Sequence, residues 1–136
     1  MRKSIAFLVL VTTFIALNLS ATEAKVKPGV KFISPQSGDT VPTQFKVKFA
    51  VVGMSVEKAG VMTPETGHHH LIIDGAAIPA GTMIIKNDTH LHFGDGQTEA
   101  QVKLTPGKHK LTLQFADGAH MSFGPALSKT IEITVR

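Results

Sequence analysis

The sequence predicts an all-β chain, an antiparallel immunoglobulin-like β-sandwich of about seven or eight strands, on three observations. Apolar and polar residues alternate with period two in several short runs. Clusters of Gly, Pro, Asp and Ser interrupt those runs at regular intervals. No segment beyond residue 24 carries the 3.6-residue period of an amphipathic helix. A small closed barrel is the competing architecture.

Residues 1–24 stand outside that pattern. Met1-Arg2-Lys3 is a basic head, Ser4 to Leu19 is almost continuously apolar, and Ser20-Ala21-Thr22-Glu23-Ala24 supplies small residues for cleavage. This is the layout of a secretory signal peptide, cut after Ala24 or Ala21. The apolar run falls short of the ~20 residues of a spanning helix, so no membrane span is expected after processing. One domain over residues 25–136 remains, with the periplasm or the cell exterior as its expected location.

Within it, Val30 to Ile33 alternates as a half-buried strand and Ser34-Pro35-Gln36-Ser37-Gly38-Asp39 ends it. Phe45, Val47 and Phe49 alternate with Lys46 and Lys48, a strand with one dry face. Met54 to Gly67 has no clean period and reads as a loop with room for one short element. His69 to Asp74 is the next strand, ended by Asp74-Gly75. Met83-Ile84-Ile85 reads as an edge strand or strand-like loop, and Thr89 to Phe93 as a strand. Asp95-Gly96 suggests a type I′ hairpin turn, since both central residues of that turn need positive φ. Thr98 to Leu104, His109 to Ala116 and Ser128 to Val135 complete the strands.

Composition removes several function classes. With no cysteine, thiolate metal sites, thiol nucleophiles and disulfides are all excluded. With no Trp or Tyr, an aromatic sugar platform is disfavoured. The formal charge of +4 is scattered without a basic run, so no nucleic-acid partner is expected.

The chemistry concentrates in the seven histidines. Residues two apart on a strand share a face, so His68-x-His70 and His90-x-His92 each offer two imidazoles to one ion. Leu91 and Phe93 claim the core and send His90 and His92 outward. Leu71 and Ile73 share parity with His69, which places His69 at the mouth of the core and His68 and His70 on the other face. The expected ligands are therefore His68, His70, His90 and His92. His120, in the loop Asp117 to Met121, is a fifth candidate, and His69 substitutes if the parity is reversed. Such a set suits copper, with zinc or nickel as alternatives; Met54, Met62 and Met121 would add soft ligands for copper(I). The competing readings are a metal-free histidine network and a catalytic or pH-sensing cluster. Catalysis has little support: no nucleophile elbow, HExxH helix or P-loop is present. Asp74, Asp95, Glu99 and Asp117 all read as turn or solvated residues.

Two resemblances add to this reading. Leu104-Thr105-Pro106-Gly107-Lys108-His109 resembles the Pro-Gly lead into a late strand of many bacterial immunoglobulin-like domains. There an aromatic bonds back to the backbone at the sheet corner; His109 takes that place, which implies a structural role. The wider pattern runs through Phe32 to Pro42, Gly67-His68-His69-His70-Leu71-Ile72-Ile73-Asp74, His90-Leu91-His92-Phe93-Gly94-Asp95-Gly96-Gln97-Thr98-Glu99, Pro106 to His109 and Asp117 to His120. It resembles the exported bacterial domain-of-unknown-function family 4399. That resemblance implies a secreted or periplasmic single domain and assigns no activity. The functional expectation is thus an exported protein that binds a transition metal for delivery, buffering or tolerance. The alternative is a metal-free interaction module with a protein partner in the cell envelope.

Overall fold

Alternating side chains in a strand need a second apolar layer to cover the dry face, and two sheets provide it here. The structure, a computed structural model, describes residues 21–136. Most of the signal-peptide reading falls on residues 1–20 and lies outside the described residues. Nine strands are present among the described residues: β1 (Gly29–Ser34), β2 (Thr40–Val41), β3 (Gln44–Val52), β4 (Ser55–Val56), β5 (Thr66–Ile73), β6 (His90–His92), β7 (Glu99–Lys103), β8 (Gly107–Ala116) and β9 (Ser128–Val135). One sheet has the order β1-β3-β7; the other runs β2-β9-β8-β5-β4, with β6 also paired to β5. The chain is all-β and sandwich-like.

Phe45, Val47 and Phe49 of β3 meet Leu71 and Ile73 of β5, Leu111 and Leu113 of β8, and Ile131 and Ile133 of β9 in one core. Each such side chain contributes about 1.5–3 kcal/mol by leaving water. Most pairing is antiparallel, but β2 pairs with β9 and β4 with β5 in parallel. Both exceptions are two-residue strands at sheet edges, reached by loops that can run either way.

β5 is buried along its whole length. His69, Leu71 and Ile73 face the core, while residues 75–80 and 122–127 lie along the outer side next to β8. Polar side chains of β8 hold these segments in place. Gln114 accepts from Ile78 N at 3.0 Å and donates to Gly124 O at 3.0 Å. Thr112 Oγ1 donates to Gly75 O at 2.7 Å, and Ser122 Oγ to Ile78 O at 2.9 Å.

The Asp95-Gly96 hairpin is not formed. β6 pairs with β5 and β7 with β3, so residues 93–98 cross from one sheet to the other. Gly96 has positive φ, but Asp95 is not among the residues that do, which rules out a type I′ turn. Met83-Ile84-Ile85 forms no strand and makes a single bridge, Met83 to Met121.

His109 braces the corner opposite the imidazole-rich end. Its Nε2 donates to Thr105 O at 2.8 Å and its Nδ1 to Asp74 Oδ2 at 2.9 Å. Asp74 Oδ1 accepts Lys110 N at 2.8 Å. Partial desolvation opposes charge on both groups. Even so, the Asp74 carboxylate and Thr105 carbonyl raise the His109 pKa, and the Lys110 N–H and His109 ring lower that of Asp74. The raised His109 pKa contributes stability that is complete below its unfolded 6.5 and lost as pH rises through the folded value. The lowered Asp74 pKa contributes above its unfolded 3.8 and is lost as pH falls through the folded value. Between pH 3.8 and 6.5 both act together. Urea unfolding is expected to show Asp74→Ala destabilised by about 1 kcal/mol at pH 5, because Asp74 is half-exposed. The difference should shrink at pH 9; a gap that does not depend on pH would remove the ion pair from the explanation.

Candidate metal centre

Strand period two turns His68 and His70 to the outer face of β5, with their Nε2 atoms 3.0 Å apart. β6 adds the third ring through its register. His92 stands opposite His70, and its Nε2 lies 3.2 Å from that of His68. The available ring nitrogens of His68, His70 and His92 all lie within 4.8 Å of one another, close enough to hold one metal ion.

A fourth ring joins from the turn after β8. His120 Nε2 is 3.1 Å from His92 Nε2, and the His120 ring centroid is 5.0 Å from that of His68 and 5.9 Å from that of His70. It touches the trio through His92 and lies outside the 4.8 Å that His68, His70 and His92 share. His120 sits at φ 66°, a left-handed conformation that costs a non-glycine residue about 1–3 kcal/mol. Asp117 holds the turn: its Oδ1 accepts Ala119 N at 2.8 Å and Met121 N at 2.9 Å. Gly118 packs against the Val61 backbone so closely that a Cβ there would collide with it.

His69 and His90 are placed elsewhere. His69 faces the core between Phe49 and Phe115, with centroids at 4.7 and 4.9 Å. Neither of its ring nitrogens has a hydrogen-bond partner among the described residues. His90 stands opposite Ile72, one pleat along, and its Nδ1 is 3.0 Å from Asn87 Oδ1 and 3.2 Å from Thr89 Oγ1. Met62 is exposed on the loop before β5.

The electrostatics favour neutral rings. Burial lowers the His68 pKa to about 4, with repulsion from His92 and His120 adding to it. Burial likewise lowers His70 to about 3 and His69 to about 4. His92 is lowered too, by burial and then by His120 and Lys86. Neutral imidazole is the form that binds metal.

The contacts cannot all be hydrogen bonds. Each Nε2 has one in-plane lobe, either N–H or lone pair, and so makes one linear bond. His68 Nε2 touches both His70 and His92, and His92 Nε2 touches both His68 and His120. Four lobes satisfy at most two of those three contacts. A cation held by His68, His70 and His92 satisfies both contacts within that trio: bonds of about 2.0–2.1 Å set neighbouring nitrogens about 2.9 Å apart at right angles and about 3.4 Å apart in a tetrahedron. The observed 3.0–3.2 Å lies between those limits.

Support around the rings is thin. Nδ1 of His68 and of His70 is buried with no partner among the described residues. Ligand histidines ordinarily donate that N–H to an orienting acceptor, whose loss costs about 10–100-fold in affinity. Here the strand and its packing hold the two rings instead.

A family model described as Domain of unknown function (DUF4399) matches residues 47–136. The match includes all four clustered histidines and leaves β1 and β2 outside it. No curated protein and no solved structure matches the chain.

Proposed function

We propose that this chain, which belongs to the domain-of-unknown-function family DUF4399, binds one transition-metal ion through His68, His70, His92 and His120. Copper is the first candidate, because imidazole donors suit copper, zinc and nickel, and copper(II) leads the divalent affinity order. The protein acts outside the cytoplasm in delivery, buffering or tolerance of the ion. The observation that carries this reading is the mutual approach of the His68, His70 and His92 nitrogens, extended to His120 through His92, in a run of Nε2 contacts that no arrangement of protons can satisfy. A metal-free interaction module would leave one of those contacts as a clash of like lobes. The unsupported Nδ1 atoms fit an ion that is passed on rather than kept.

Metal content and competition titrations of the untagged protein, purified without chelator, test the proposal. One equivalent of copper(II) or zinc per chain is expected near neutral pH. Sub-stoichiometric metal with no tight uptake of either ion would overturn it. Gly94 gives a second check. A Cβ there would collide with the His92 ring, whose Nε2 would lie 2.6 Å away. Gly94→Ala should swing the half-buried ring aside and weaken metal binding by about tenfold or more. The same titrations read it; unchanged affinity would mean the His92 position is not critical.

A further inference from the structure

The sequence has five methionines, and two of them meet at a place the imidazole centre does not use. Residues 120–122 pair antiparallel with residues 82–84. Ile84 N donates to His120 O at 2.9 Å, and Ser122 N donates to Thr82 O at 2.9 Å. These two bonds flank the Met83–Met121 bridge, which makes it a non-hydrogen-bonded pair. In such pairs the Cα atoms lie about 4.5 Å apart and both side chains leave on the same face, closer than in the bonded kind.

Burial says which face that is. Ile84 and Ser122, on either side of the pair, are buried at 4% and 3% exposure. Met83 is 58% exposed and Met121 is half-buried. The flap therefore turns Ile84 and Ser122 inward and starts the Met83 and Met121 side chains from neighbouring positions on its outer face, with Met121 adjacent in sequence to His120. An apolar side chain as exposed as Met83 gains little by packing. The common chemistry of Met83 and Met121 is a pair of soft, neutral sulfur donors, which selects copper(I) over divalent ions.

We propose that Met83 and Met121 form a separate surface site for a soft monovalent cation, copper(I) or its surrogate silver(I). The site stands on the bridge geometry and the sulfur chemistry, independently of the imidazole centre. It would let the protein take a monovalent ion that the buried, all-nitrogen cluster is not built to collect first.

Silver(I) titration of protein carrying ¹³C-labelled methionine methyls, already saturated with zinc, tests this. The Met83 and Met121 methyl signals are expected to shift together, with Met54 and Met62 unmoved. Met83→Ile and Met121→Ile should each weaken silver binding by at least about tenfold and leave zinc uptake unchanged. Shifts at neither methyl, or wild-type silver affinity in both variants, would overturn the proposal. If zinc fails to bind, the imidazole reading falls alone, because the methyl shifts still report on the sulfur pair.

Discussion

His92→Ala is expected to weaken copper(II) or zinc binding by at least about 100-fold, while His90→Ala leaves it within about twofold of the parent protein. The two residues are identical, two positions apart on one short strand, and equally half-buried. Only register separates them. β6 sets His92 opposite His70, where its Nε2 lies between those of His68 and His120, and sets His90 opposite Ile72. Removing His92 takes away the nitrogen that links the β5 pair to the turn. Removing His90 costs only its bonds to Asn87 and Thr89. Competition titration of both variants, with circular dichroism to confirm folding, gives the answer. Equal losses in both would mean that the pairing of β6 with β5 does not define the centre.

His69→Leu is expected to stabilise the metal-free protein by about 1–3 kcal/mol near neutral pH, and by more at pH 5. His69 is fully buried between Phe49 and Phe115, and both ring nitrogens lack a partner among the described residues. Leucine fills a similar volume without a polar atom to desolvate. The pH dependence follows from the lowered pKa of about 4. Unfolded histidine takes up a proton below about 6.5, so the neutral buried ring destabilises the fold progressively as pH falls from there to about 4. Leucine removes that penalty. His68 and His70, lowered to about 4 and 3, keep theirs, so acid sensitivity is reduced and not abolished. Denaturant unfolding at pH 7.5 and pH 5 measures both parts. A destabilised variant at both values would assign His69 a bond that the fold depends on. Metal affinity should not change, since this ring faces the core.

Strand parity made much of this legible. Leu71 and Ile73 had to face the core, so His69 had to join them and His68 and His70 had to turn away. Phe93 and Leu91 sorted β6 in the same manner. Register is a different kind of information. Nothing local to His90-Leu91-His92 tells which of its histidines stands level with His70, because that depends on the loop joining β5 to β6. The Asp95-Gly96 turn shows a related limit: the dipeptide permits a hairpin, but β7 finds its partner in β3 of the other sheet. His120 was legible as a fifth candidate, from its place in a loop after a strand. Its position comes from the left-handed backbone at φ 66° and from Asp117 bonding two amides of the turn. A turn-forming Asp three residues before a histidine is the signal that could have promoted it.

The four histidines of the proposed centre differ in how firmly the chain holds them. His68 and His70 ride on β5, which is paired on both sides and covered on both faces. His92 belongs to a three-residue strand, and His120 to a turn. Opening free energies in a folded chain range from near zero at exposed turns to the full unfolding free energy in central strands. Two of the four proposed ligands can therefore come away in brief local excursions while the other two stay fixed. For an ion bound as proposed, the rate of release would then be set by the turn and the short strand and decoupled from global stability. On the proposed reading, a durable domain could in this way still let go of an ion quickly.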